Sequence, residues 1–177
     1  AQVSPKELCT KLIEAALANG AILRLGKVEG VATDDSHTYH GGNVSPGRGW
    51  IMVQAERLDA NLLMEAMERG EFYSSSGVTL KEVSFRNDIL ELEIEGDPGV
   101  SYTTQFVGTR KGEGAVAGEE FGETKELQPV YRLRGDELYV RARVTSSRDH
   151  PNPSYDGQKE QAWTQPVGWK KLINGGQ

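Results

Sequence analysis

From Val78 onward the apolar residues recur at every second position, and this switch of period constrains the chain more than any motif in it. Leu90, Leu92 and Ile94 alternate with Glu91, Glu93 and Glu95. Successive strand residues point to opposite faces, so this stretch has one face to bury and one acidic face for water. That explains the glutamates better than a calcium site does. Val83 and Phe85 alternate in the same way before the turn pair Asn87-Asp88, which predicts a hairpin. Val100, Tyr102, Thr104 and Phe106 predict a further strand, and Gly108 to Gly122 reads as a long loop or hairpin tip. Tyr131 and Leu133, then Leu138, Val140, Ala142 and Val144, read as a second hairpin turning at Arg134–Glu137. No helical period follows Gly70, so this half is expected to be an antiparallel, sandwich-like β unit.

The first half carries a different pattern. Ser4-Pro5-Lys6-Glu7 combines an N-cap, a proline at the first helical position and a capping-box glutamate. Leu8, Leu12, Ala15 and Ala16 then form one apolar helical face, which Asn19-Gly20 ends. Val28 to Thr33 reads as a buried strand, followed by a polar loop, Asp34 to Gly49, and a second apolar strand, Trp50–Val53. Asp59 is placed to cap a helix bearing Leu62, Leu63, Ala66 and Met67, with Gly70 as its stop, before a strand beginning at Phe72-Tyr73. The order α, β, α, β is that of a layered α/β unit. The expected fold class is therefore α+β: an α/β unit over residues 1–77 and an antiparallel β domain over 78–177.

Composition narrows the function classes. With 20 Lys+Arg against 26 Asp+Glu, the net charge of −6 argues against nucleic acid and anionic membranes as partners. There is no apolar run long enough to span a bilayer, so a soluble chain is expected, cytoplasmic or periplasmic/secreted alike. The single cysteine, Cys9, excludes an intramolecular disulfide and reads as a small buried hydrophobe. G-x-S-x-G, H-E-x-x-H and C-x-x-C signatures are absent. Gly112, Gly114 and Gly118 lack both the spacing and the following helix of a phosphate-binding loop.

The chemically informative stretch is Thr33-Asp34-Asp35-Ser36-His37-Thr38-Tyr39-His40, which holds two of the three histidines. In an extended chain, residues i and i+2 point the same way, so Asp35 and His37 can converge on one point. A carboxylate and an imidazole together make half a site for Mn²⁺, Fe²⁺ or Zn²⁺. Ligands of α/β sheets also gather at the carboxyl ends of strands, where this loop is expected. The same residues also suit an exposed loop whose Asp and His side chains satisfy local backbone groups. His150, in Arg148-Asp149-His150-Pro151-Asn152-Pro153, reads as surface.

Several stretches taken together resemble a known family. Gly30-Val31-Ala32-Thr33-Asp34-Asp35-Ser36-His37 resembles the last metal motif of the PHP (polymerase and histidinol phosphatase) superfamily, G-x-x-[SD]-D-x-H. Gly49-Trp50-Ile51-Met52-Val53-Gln54-Ala55, a helix, and Gly70-Glu71-Phe72-Tyr73-Ser74-Ser75-Ser76-Gly77 follow in the order seen in its carbaryl-hydrolase-like group. The late Ala162-Trp163-Thr164-Gln165-Pro166 is similar as well. The resemblance runs from about residue 5 to residue 167. It implies a metal-dependent hydrolase, usually of phosphoesters, on a distorted (β/α)₇ barrel, with Asp35 and His37 as ligands. Asp34, Tyr39 and His40 stand beside them as candidate pocket-lining residues.

The H-x-H motif that opens such a barrel is missing, as are its later ligands. The chain therefore looks like the C-terminal part of such a protein, the end of the barrel plus a β appendage. Its metal site would be completed elsewhere, and its opened face covered by self-association or by the missing barrel portion. Two protein ligands are too few to close a hydrolytic site, so the isolated chain is expected to be inactive. The substrate of a completed site would be a small-molecule phosphoester or ester. The alternative is a non-catalytic ligand-binding β module with a vestigial metal motif, in which Tyr131, Tyr139, Tyr155, Trp163 and Trp169 stack on sugars. An esterase using His37 as base is a third reading, though no nucleophile pattern accompanies it.

Overall fold

The computed structural model describes residues 29–40, 45–112 and 114–168. The helix expected near residues 4–19, Cys9 and Trp169 lie outside the described residues. The described elements are β1 (Trp50–Val53), α1 (Ala60–Arg69), β2 (Phe72–Ser75), β3 (Leu80–Arg86), β4 (Ile89–Ile94) and β5 (Tyr102–Arg110), followed by β6 (Glu119–Thr124), β7 (Val130–Arg132), β8 (Glu137–Asp149) and β9 (Lys159–Thr164). They form two antiparallel sheets, one of six strands in the order β1-β2-β9-β8-β5-β6 and one of three in the order β3-β4-β7.

Local chemistry places most of these elements. The β3–β4 hairpin turns at Asn87 and Asp88, with φ of +52° and +62°. Two positive φ angles in a two-residue connection match the right-handed twist of the flanking strands, and Asn and Asp tolerate them. On β4, Leu90, Leu92 and Ile94 are buried while Glu91 faces water, as does Glu95 just past the strand. Asp59 caps α1 by accepting from the Asn61 and Leu62 amides, and Gly70 ends it with φ +75°. One core joins the two sheets: Leu90, Leu92 and Ile94 of the small sheet meet Phe106, Val140, Ala142, Val144 and Ala162 of the large one. Each Leu- or Val-sized side chain fully buried there contributes about 1.5–3 kcal/mol.

Tyr131 of β7 bolts the sheets together. Its ring lies 5.1 Å from that of Phe106 and 6.0 Å from that of Phe121. Its hydroxyl donates to Glu137 Oε1 at 2.8 Å. The same carboxylate accepts from the Arg134 and Gly135 amides at 2.9–3.0 Å. Burial pushes the Glu137 carboxyl up, but these donors outweigh it and hold it down at about 2. Burial and the neighbouring carboxylate together push the Tyr131 phenol up to about 12.

Three sequence expectations are overturned. The described residues are mostly β, with a single helix and no β/α-barrel unit, so the α+β class with an N-terminal α/β unit does not hold. The reason lies in the β1–α1–β2 connection. A β/α unit needs parallel strands, whereas Val53, where β1 ends, pairs with Phe72, where β2 begins. The chain leaves and re-enters the sheet at one end, and a ten-residue helix (about 15 Å) does not carry it back across. Second, residues 29–33 form no strand. Gly30 gives its amide to Gln165 Oε1 at 2.9 Å, and its carbonyl accepts from Gln165 Nε2 and Ser74 Oγ at 2.8 and 2.9 Å. Side chains take the place of a neighbouring strand, and Val31 stays 59 % exposed. Third, β7 and β8 are not a hairpin: β7 pairs with β4, and β8 pairs with β5 and β9. The Glu137-braced turn is where the chain crosses between sheets. The large sheet also runs through the division at residue 77, because Tyr73, Ser74 and Ser75 pair with Thr164, Trp163 and Ala162.

Candidate functional site

The Asp34–His40 stretch is a loop, exposed at Asp35 and from His37 onward. Asp34 Oδ1 accepts from the Arg48 and Gly49 amides at 2.6 and 2.9 Å. These bonds, together with one from Gly47, hold its carboxyl below the usual range. Asp34 therefore ties the loop's two ends together. Asp35 has φ +48°, a left-handed conformation that an aspartate tolerates at a cost of order 1 kcal/mol. The chain here is turned, not extended, so the i, i+2 strand geometry expected for Asp35 and His37 is not what brings them close.

What does so is a hydrogen bond. His37 Nδ1–H donates to the Asp35 carbonyl at 2.7 Å. In the neutral imidazole this bond puts the proton on Nδ1 and leaves the Nε2 lone pair on an exposed ring. Among the described residues, the Asp35 carboxylate has no hydrogen-bond partner. A carboxylate and an imidazole nitrogen, both open to water, suit Mn²⁺, Fe²⁺ or Zn²⁺ as partial donors. They fit one side of an ion only: among the described residues, no group of three His, Cys, Asp or Glu is placed to hold one. Tyr39 and His40 are exposed beyond the turn, and neither makes a hydrogen bond to a described residue.

A broad groove of about 1180 Å³ opens between α1, β3 and the segment after β9, lined by Val53, Leu62, Phe72, Val83, Phe85 and Val167 among others. Asp34, Asp35, His37, Tyr39 and His40 do not border it. The aromatic residues do not form a shared platform either: Tyr131 is in the core, whereas Tyr155 is 63 % exposed.

His150 is the residue that sequence reasoning missed. It is only 3 % exposed and both ring nitrogens are engaged, contrary to its reading as surface. Nδ1 accepts from the Asn152 amide at 3.0 Å, and Nε2–H donates to the Arg48 carbonyl at 3.1 Å. Its Nε2 partner, Arg48, lies 102 residues away in the chain, so no local pattern could have signalled that bond. A scan against models of protein families finds no match, and searches of curated proteins and of solved structures return none.

Proposed function

We propose that this chain supplies Asp35 and His37 to a divalent-metal site of a PHP-type hydrolase acting on small phosphoesters or esters. The remaining ligands of that site are absent from this sequence. The observation that carries the reading is the His37 imidazole, whose Nδ1–H is committed to the Asp35 backbone carbonyl while neither Nε2 nor the Asp35 carboxylate has a hydrogen-bond partner among the described residues. Metal-ligating histidines characteristically donate their other ring N–H in this way, which fixes the tautomer. Asp35 would add negative charge, and Asp34 would hold the loop's backbone without touching the ion. A divalent ion there would supply Lewis acidity toward a phosphoryl or ester oxygen. With two donors the isolated chain would bind an ion weakly and turn over no substrate.

The test is Mn²⁺ binding by the full chain, followed by electron paramagnetic resonance and elemental analysis, beside His37→Ala and Asp35→Ala. Bound Mn²⁺ in the parent protein that is lost in both variants is the expected result. Equal binding in all three, or none in any, would overturn the reading. That no third donor joins the pair among the described residues favours a second reading, a ligand-binding β module that retains the loop without its chemistry. A chain that binds no metal but shows a tryptophan fluorescence change in a small-ligand screen would support it.

A further inference from the structure

Among the described residues no strand pairs with the Asp35–His37 loop, and side-chain hydrogen bonds hold its backbone. We propose that the loop joining β8 to β9 is the positioning element of the Asp35–His37 pair, acting through His150 and Asn152. The proposal rests on the metal-site reading for its consequence, though not for its geometry.

The connection runs in three tiers. In the first, Asn152 Nδ2 donates to the Ser45 carbonyl, Ser45 Oγ and the Pro46 carbonyl at 3.3, 2.8 and 3.1 Å. His150 Nε2–H holds the Arg48 carbonyl, and the Arg48 guanidinium returns to the Asn152 and Pro153 carbonyls at 3.4 and 2.9 Å. In the second, the segment so held presents the Arg48 and Gly49 amides to Asp34 Oδ1. In the third, Asp34 fixes the backbone at the position before Asp35, whose carbonyl orients the His37 ring.

The β8–β9 loop is itself braced. His150 N–H donates to the Gln158 carbonyl at 2.8 Å, and the Asn152 amide fixes the imidazole by its bond to Nδ1. Gln165 grips Gly30 at the other end of the motif. Ring orientation and backbone position in the donor loop are thus set from the far part of the chain. Removing such supporting groups from metal sites typically costs 10–100-fold in affinity.

The experiment uses the full chain with Asn152→Ala, Asn152→Asp, His150→Ala and the conservative His150→Gln, which keeps an N–H donor. Amide hydrogen exchange is read at Arg48 and Gly49, the two donors to Asp34, against core amides such as Val144. The expected result is exchange about tenfold faster at Arg48 and Gly49 in Asn152→Ala and His150→Ala, partial rescue in His150→Gln, and unchanged Val144. Mn²⁺ affinity should fall about tenfold in the same variants. Unchanged exchange at Arg48 and Gly49 overturns the proposal. If His150→Ala does not fold, the two Asn152 variants decide, since Asn152 lies in a solvent-facing loop away from the core. A parent chain that binds no Mn²⁺ while Asn152→Ala speeds exchange upholds the positioning role and overturns the metal reading instead. Mn²⁺ binding with unchanged exchange does the reverse.

Discussion

At the scale of single residues, two buried polar groups make opposite predictions. Glu137 is 3 % exposed and surrounded by donors. Its folded value of about 2 lies below the ordinary 4.5, so its stabilisation is complete above 4.5 and is lost as pH falls toward 2. Glu137→Gln should cost about 2–3 kcal/mol at neutral pH. Urea denaturation of both proteins from pH 7 to pH 2 checks this: the gap should hold down to about 4.5, narrow below it and close near 2. A constant gap would mean that packing, and not charge, is what the variant loses. Thr104 is the converse case. It is fully buried on β5 and its hydroxyl has no partner among the described residues. Thr104→Val keeps the shape and removes the unsatisfied group, so it should raise stability by about 1 kcal/mol in a thermal melt.

At the scale of elements, β5 and its neighbours show how close the backbones run. A Cβ on Gly108 would lie 2.1 Å from the Tyr139 carbonyl oxygen and 2.6 Å from the Phe121 ring. The carbonyl belongs to the paired strand β8 and has nowhere to go, so Gly108→Ala should cost about 3 kcal/mol or more. Gly122, on β6, has no atom within 4 Å of the same position, and Gly122→Ala should stay within about 0.5 kcal/mol. Chemical denaturation of the pair separates a steric requirement for glycine from a general one.

The same strands show what the sequence could and could not tell. Alternation and turn chemistry are local, so the β3–β4 hairpin, β1 and the Asp59-to-Gly70 limits of α1 were legible. Strand pairing is not local, and two readings failed there. Val28–Thr33 has strand composition, yet its described residues gain no strand partner because the Gln165 amide occupies Gly30. Tyr131 and Leu138 suggest a hairpin, yet their strands are drawn into different sheets, since Tyr131 is better buried between Phe106 and Phe121. Gly108 to Gly122 read as a long loop or hairpin tip; the structure makes it the tip of the β5–β6 hairpin, with strand ends that the glycines masked carrying β5 to Arg110 and starting β6 at Glu119. At the candidate site, Asp35 and His37 were legible as neighbours in the chain. The His150–Asn152 brace was not, because its bonds to Ser45, Pro46 and Arg48 each span more than a hundred residues of sequence.

At the scale of the whole molecule, the six-stranded sheet draws on both ends of the described chain. β9 lies between β2 and β8, and Tyr73 of β2 is both a core residue and the acceptor of the Leu80 amide at 2.9 Å. A fragment beginning at Val78 would strip β9 of one hydrogen-bonded edge and remove Tyr73 from the core. It should therefore melt at lower temperature and less cooperatively than the full chain, as circular dichroism would show. An equally sharp melt would mean that β1 and β2 are dispensable to the sandwich.

The central place of β9 also sets an order in time. On a ribosome, β2 emerges some ninety residues before the strand it must pair with, since Tyr73 waits for Thr164. Gly30 waits longer still, for Gln165. Until those late residues clear the exit tunnel, a nascent chain holds a half-built sheet and an unbraced Asp34–His40 loop, and the long loop closure makes the final step slow. Partial proteolysis of stalled translation products of increasing length should show protection arriving abruptly once residues 159–165 are exposed, and not in gradual increments.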